Sequence, residues 1–150
     1  MYTAIIQLVT AFFGALGFAL IFNVNKRFLL ATAIAGCMGW GIYLLCNEVF
    51  FMGNLVSNLF ASAFCQIYAE VSARICKIPT TVIYVPAVIP LIPGGALYNT
   101  MYSAVHSDWA QFKVYGSATL QTTLGIAIGL SSVSAILYII TKLARKRALK

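Results

Sequence analysis

The stretch VPAVIPLIPGGALYNT, which occupies Val85–Thr100, places prolines and paired glycines inside a long apolar segment. These residues are Pro86, Pro90, Pro93, Gly94 and Gly95. Proline lacks an amide hydrogen and clashes with the carbonyl four residues back, and glycine adds backbone freedom. In a helix, the prolines would therefore free the carbonyls of Val82, Pro86 and Ile89. The pattern predicts a broken helix whose second half begins near Gly95–Ala96 and exposes unpaired amides at the positive end of its dipole.

The composition around this stretch indicates a lipid environment. Of the 150 residues, 61% are hydrophobic and only 9% are charged, whereas soluble domains carry about 25% charged residues. The net charge of +7 comes from basic residues that lie between apolar runs and near the C-terminal end. That placement favours topology signals and attraction to anionic lipid headgroups over nucleic-acid binding. We therefore expect an integral membrane protein with no nucleic-acid partner.

Five apolar segments reach or approach the roughly 20 residues that a spanning helix needs. They cover about 3–22, 28–46, 49–73, 78–105 and 109–140. Soluble domains and long linkers are not expected between them. The sequence predicts one transmembrane domain over residues 1–150, built as an all-α bundle of five transmembrane helices with the fourth broken at the proline–glycine motif.

The distribution of basic residues predicts the orientation of these segments. Lys26 and Arg27 lie in the first loop, Arg74 and Lys77 in the third, and five more in the C-terminal tail, whereas Lys113 stands alone on the other side. Nine basic residues against one place the N-terminus outside and the C-terminus in the cytoplasm. A re-entrant fourth segment would put the basic tail outside, so we expect that segment to cross once.

The third segment carries a polar residue at every fourth position. The row comprises Asn54, Asn58, Ser62, Gln66 and Glu70. Polar residues within a membrane usually face a bundle interior or a cavity, so the row is compatible with hydrogen bonding between helices and with lining a pathway. Glu70 lies four residues before Arg74, which predicts a local ion pair. Proton coupling and recognition of a substrate ammonium are alternative roles for Glu70.

Small residues recur at fourfold spacing in two other segments and permit close approach of helices. They are Ala31, Ala35 and Gly39 in the second segment, and Gly125 and Gly129 in the fifth. A nucleophile–base pair, a phosphate-binding loop and a cluster with metal-ligand spacing are all missing from the sequence pattern. We therefore expect a packed bundle or oligomer that is not an enzyme and that uses neither a metal nor another cofactor.

Two stretches resemble the threonine/serine exporter family, in particular its short YjjB-like members, which correspond to the C-terminal half of longer exporters. They are FNVNKRFLLATAIAGCMGWGIYLL (Phe22–Leu45) and YAEVSARICKIPTTVIYVPAVIPLIPGGALYNTM (Tyr68–Met101). Asn25 departs from the pattern, because proline is the more usual residue at this loop position. The resemblance implies export of small hydrophilic metabolites, either threonine and serine or C4-dicarboxylates such as succinate, across a bacterial cytoplasmic membrane. It also implies a companion membrane subunit similar to the N-terminal half, and the proton gradient is one candidate energy source.

The predicted substrate site combines the break with the polar row. We expect Gly94, Gly95 and the following amides to bind a substrate carboxylate, while Tyr98 and Asn99 add hydrogen bonds. The wall opposite is formed by residues of the third segment: Asn58, Gln66 and Glu70. The rival hypothesis is a structural subunit that stabilises a membrane partner in a hetero- or homo-oligomer without transporting anything itself.

Overall fold

The fold is known from a computed structural model that describes residues 2–148, with side chains described up to residue 143. Met1, Leu149 and Lys150 lie outside the described residues, as do the side chains of Arg145, Lys146 and Arg147, so most of the predicted basic tail is not tested. Every regular element within 2–148 is helical. The helices are α1 (Tyr2–Ile21), α2 (Lys26–Leu44), α3 (Gly53–Cys76), α4 (Thr81–Val88), α5 (Gly94–Val105) and α6 (Trp109–Ala148).

Three of the helical regions are long and apolar enough to cross a membrane. These are Tyr2–Ile21, Lys26–Val49 (α2 extended by a π-helical turn at Leu45–Val49) and Trp109–Leu143. A fourth candidate is the pair of helical segments Thr81–Leu91 and Gly94–Val105, between which the helix axis bends by 55°. Helix α3 is 24 residues long but does not reach the same apolar standard, because its asparagine, serine, glutamine and glutamate residues lower its hydropathy.

Small residues form the contacts among the first three helices. Ala15, Ala35 and Ala61 are fully buried, and Gly36 approaches α1 so closely that a Cβ on it would lie 2.6 Å from the Ala15 Cβ. The Cys65 thiol of α3 donates to the carbonyl oxygen of Ala35 on α2 (3.7 Å). The predicted close approach at the small residues of the second segment is thus confirmed.

Helices α3 and α6 pack side by side and run in the same direction. Gly125 contacts Leu55 and Asn58 of α3, and Gly129 contacts Leu59 and Ser62 one turn further along. Farther along the pair, Arg74 Nη2 donates to Thr141 Oγ1 (3.1 Å), a separation of 67 residues. Contacting residues of the two helices are thus about 67 positions apart in the sequence at every level of the pair. The two helices therefore run parallel, and the chain between them must return from the end of α3 to the level at which α3 began.

The predicted break lies inside this returning segment. Pro86 is accommodated within α4, and a short 3₁₀ turn at Ile89–Leu91 follows. Ile92 is extended (φ −66°, ψ 128°), and α5 then begins at Gly94 rather than at the predicted Gly95–Ala96. The carbonyl of Ile89 is not free as predicted, because it accepts a hydrogen bond from the Ile92 amide (3.0 Å) through the tighter 3₁₀ geometry.

Side chains and backbone geometry define several helix ends. Asn25 precedes α2, and its Oδ1 accepts from the Arg27 amide (3.3 Å). The Asn25 side chain therefore acts as the N-cap of α2, and a proline at this position would lack that acceptor. Asp108 caps α6 in the same way through the Gln111 amide (3.1 Å). At the far end of α3, Lys77 adopts the left-handed conformation (φ 55°) that ends the helix.

Candidate functional site

The start of α5 presents the backbone groups that the sequence predicted for a substrate carboxylate. The Gly94 amide donates to Ile92 O (2.8 Å) and the Leu97 amide donates to Pro93 O (2.9 Å). The amides of Gly95 and Ala96 have no backbone acceptor within residues 2–148. Two donors at the positive end of a 12-residue helix are therefore available to an anionic group.

Gly94 and Gly95 are exposed, and their own chain does not require glycine there. A Cβ on either residue would meet no atom within 4 Å, and neither residue has a positive φ. These glycines therefore differ from Gly125 and Gly129 of α6, which lie against the backbone of α3. A requirement for glycine at these two positions would therefore come from a group outside the described chain, such as a ligand or a partner.

Tyr98 and Asn99 occupy the first turns of α5 without contributing to a buried site. Tyr98 is 68% exposed and its ring stacks on Tyr102 at 6.3 Å between centroids. Helix α5 packs principally against α6, through the buried Thr100, whose Oγ1 lies 3.4 Å from Thr119 Oγ1. The Tyr98 side of α5 is therefore open to ligand, lipid or a partner.

The middle of the polar row on α3 lies against α6. Asn58 is 2% exposed and Ser62 fully buried, and both side chains bond to their own helix. Asn58 Nδ2 donates to Asn54 O (2.7 Å), and Ser62 Oγ donates to Leu59 O (3.1 Å). Because both side chains bond to their own helix while Gly125 and Gly129 cover them, this geometry favours helix packing over pathway lining at these two positions.

Gln66 connects α3 and α6 directly. Its side-chain Nε2 donates to Ser134 Oγ across the helix pair (3.1 Å), and the residue is 7% exposed. Ser134, in contrast, is exposed on its outer side. This hydrogen bond therefore lies at the boundary between the packed part of the helix pair and an open groove beyond it.

Glu70 forms the predicted ion pair with Arg74, and the structure adds two further partners. Arg74 Nη2 and Nε donate to Glu70 Oε1 at 3.0 and 3.1 Å. Thr80 Oγ1, just before α4, donates to Glu70 Oε2 (2.9 Å). With the bond from Arg74 to Thr141, the carboxylate and the guanidinium together join α3, α4 and α6.

The residues predicted for one substrate site are thus divided between two places. Gly94, Gly95, Tyr98 and Asn99 lie on α5, whereas Asn58, Gln66 and Glu70 lie on α3. Both helices pack on α6, and they do not pack extensively on one another. Within the described chain, the break and the polar row therefore do not close around a common ligand.

A cavity of about 260 Å³ lies at the break, and its polar lining was not predicted. Ile89 and Pro90 face Gln7, Thr10 and Trp40 across it. The Trp40 indole Nε1–H donates to Gln7 Oε1 (3.4 Å). Gln7 and Thr10 are polar residues three positions apart in the first apolar run. That spacing places them on one face of a helix, and it could have indicated that this face meets the interior of the bundle. Helix α1 thus supplies polar groups to the broken segment.

Apolar helices of membrane-spanning length, a bent helix pair and polar groups held inside the bundle define an all-helical membrane protein. The family model of the threonine/serine exporter, ThrE, matches residues 7–136. The chain therefore belongs to the threonine/serine exporter family, a family of transporters. No solved structure matches the chain.

Proposed function

We propose that this chain is one subunit of an exporter that moves threonine- and serine-type amino acids out of a bacterial cytoplasm, together with a companion membrane subunit. The observation that carries the proposal is the family match over residues 7–136. C4-dicarboxylates such as succinate are the second substrate class, because they present the same carboxylate to the amides at the start of α5. The companion resembles the N-terminal half of longer family members.

The proposed topology has five crossings, with the N-terminus outside and the C-terminus in the cytoplasm. The parallel packing of α3 and α6 supports it, since α4 and α5 must then form a returning crossing between them. Helix α3 crosses despite its polar residues, because α6 covers Asn58 and Ser62 and because their hydrogen bonds are made within the protein. Lys77 at the end of α3 and Lys142 near the end of α6 lie at the same, cytoplasmic level.

Counterflow in liposomes tests the transport proposal. Liposomes loaded with unlabelled threonine, serine or succinate receive the labelled compound outside, with this chain, its companion, or both in the membrane. We expect labelled threonine and serine to accumulate only when both chains are present, and an imposed pH gradient then tests proton coupling. If none of the three compounds exchanges with both chains present, the exporter proposal is wrong.

Alanine at both break glycines tests whether the start of α5 serves transport. The chain has room for a Cβ at Gly94 and Gly95, so the double variant should fold and assemble normally. We expect it to lose most of its counterflow activity, because the added methyl groups stand where a substrate carboxylate would approach the amides. The matched control is Gly17→Ala in α1, because Gly17 also has open space around it and does not line the cavity at the break.

The same variants separate transport from a purely structural role. Full counterflow by a well-expressed Gly94→Ala/Gly95→Ala protein would remove the start of α5 from the substrate path. If counterflow also survives changes at the polar row, and if omitting the chain only destabilises the companion, the chain is a structural subunit.

A further inference from the structure

A polar groove lies between α3 and α6, beyond the Gln66–Ser134 hydrogen bond. Its volume is about 270 Å³, which is large compared with roughly 30 Å³ per molecule in liquid water and leaves room for a small amino acid. Its polar lining comes from both helices: Gln66, Glu70, Arg74, Ser134, Tyr138 and Thr141.

The groove contains one positive and one negative group at hydrogen-bonding distance from each other. The Glu70 side chain is 23% exposed and that of Arg74 is 55% exposed, so both can be reached from the groove. Arg74 uses Nε and Nη2 for its bonds to Glu70 and Thr141. Its Nη1 has no hydrogen-bond partner among the side chains described up to residue 143, and it is therefore available to another acceptor.

We propose that this groove is a binding site for a small zwitterionic amino acid, with Arg74 binding the carboxylate and Glu70 the ammonium. The inference rests on the proposed function and names where its substrate is recognised. A guanidinium binds a carboxylate through two parallel hydrogen bonds, and a carboxylate accepts from an ammonium. The substrate separates the Glu70–Arg74 pair and replaces each partner with one of its own charges, so the net charge of the groove is unchanged.

The neutral groups of the groove suit a side-chain hydroxyl. Ser134 Oγ accepts from Gln66, and its own proton remains available for donation. A hydroxyl on the substrate accepts from Ser134, and it donates to the Gln66 carbonyl oxygen. Because Gln66 lies about one helical turn before Glu70, hydrogen bonding at this end of the groove distinguishes serine and threonine from amino acids without a hydroxyl.

The ion pair also selects between the two substrate classes that share a carboxylate. A dicarboxylate presents two negative charges, and the second would lie beside Glu70 with no cation of its own. Like charges at such a distance disfavour binding. The groove therefore favours an amino acid over succinate, whereas the amides at the start of α5 alone do not discriminate.

The location of the groove agrees with loading from the cytoplasm. Arg74 lies in the last turn of α3, which ends at Cys76, and Thr141 lies beside Lys142 on α6. The Lys142 ammonium is 5.7 Å from the centroid of the Tyr138 ring, which adds positive charge at the rim. In the proposed topology this rim faces the compartment from which an exporter takes its substrate.

Three probes separate the two charge contacts in the two-chain liposomes. Threonine carries both charges, 3-hydroxybutyrate lacks the ammonium, and threoninol lacks the carboxylate. In Glu70→Gln, the 3-hydroxybutyrate-to-threonine ratio of initial counterflow rates should rise about tenfold or more, because threonine loses the partner of its ammonium while 3-hydroxybutyrate no longer leaves a carboxylate unpaired at position 70. In Arg74→Gln, the threoninol-to-threonine ratio should rise similarly. Each ratio is independent of how much protein folds, so a general loss of stability does not change it.

A second pair of variants tests the groove without altering its charges. Ser134→Leu fills the groove and should abolish threonine counterflow, whereas Ser132→Leu, two residues away and outside the lining, should retain it. Wild-type rates in Ser134→Leu, or unchanged probe ratios in both charge variants, would overturn the groove as a binding site. If this chain and its companion, both wild-type, exchange no amino acid, the proposed function is wrong, and the proposed binding site is wrong with it.

Discussion

Replacement of Gly129 by alanine is expected to destabilise the contact between α3 and α6. A Cβ at this position would lie 2.5 Å from Leu59 O and 3.2 Å from Ala63 N, and it would also overlap Ser62 Oγ. Two of these three groups belong to the backbone of α3 and cannot rotate away. The helices must therefore separate, and the Gln66–Ser134 bond further along the pair weakens with them.

The magnitude follows from a comparison with Gly116 on the same helix. A Cβ at Gly116 would lie 3.6 Å from Thr100 Cγ2, an ordinary van der Waals distance. Both substitutions gain the same helix propensity, about 1 kcal/mol for alanine over glycine. The difference between them is the steric cost, about 1–3 kcal/mol for an overpacked contact.

Thermal unfolding of the purified chain in lipid nanodiscs, followed by the helical circular-dichroism signal, measures this difference. At about 2–4 °C per kcal/mol for a chain of this length, Gly129→Ala should unfold several degrees below Gly116→Ala. Gly116→Ala should unfold at or slightly above the temperature of the unmodified protein. Equal unfolding temperatures for the two variants would refute the close α3–α6 contact.

Two further predictions concern a second close contact and the orientation of the chain. Alanine at Gly39 would place its Cβ against Cys65 Sγ, so Gly39→Ala should lower the unfolding temperature. Adding Cys65→Ala should restore part of the loss, and strictly additive effects would contradict the contact. Cys76 is exposed beside Lys77, so in a variant whose other cysteines (Cys37, Cys46 and Cys65) are replaced by alanine, a membrane-impermeant maleimide should label it in inside-out vesicles but not in intact cells. Labelling in intact cells would reverse the proposed orientation.

The local features of this protein could be predicted well from its sequence. The five apolar segments correspond to helical regions, with the fourth divided near Pro93. The spacing of Glu70 and Arg74 predicted the ion pair that the structure contains. These features depend on residues within a few positions of one another, where helix geometry and proline chemistry leave few alternatives.

The partners of the polar row could not be predicted in the same way. Spacing placed Asn58, Ser62 and Gln66 on one row but left helix packing and pathway lining equally open. The choice depended on Gly125, Gly129 and Ser134, about 67 residues away, and on the parallel direction of α6. Contacts over such separations are made by the folded bundle, and periodicity within one segment does not specify which neighbour a face meets.

The sequence by itself determined that this is a helical membrane protein of an exporter family, with a helix broken within the proline–glycine motif of residues 86–95. Composition, charge placement and backbone chemistry are properties of the sequence or of short segments, so they can be determined without knowing the fold. Only the tertiary structure placed the break glycines on an open surface, covered the centre of the polar row with α6, and left Glu70 and Arg74 in a groove. The physical reason is that a side chain is covered or accessible according to which helices pack around it, and that arrangement exists only once the bundle has assembled.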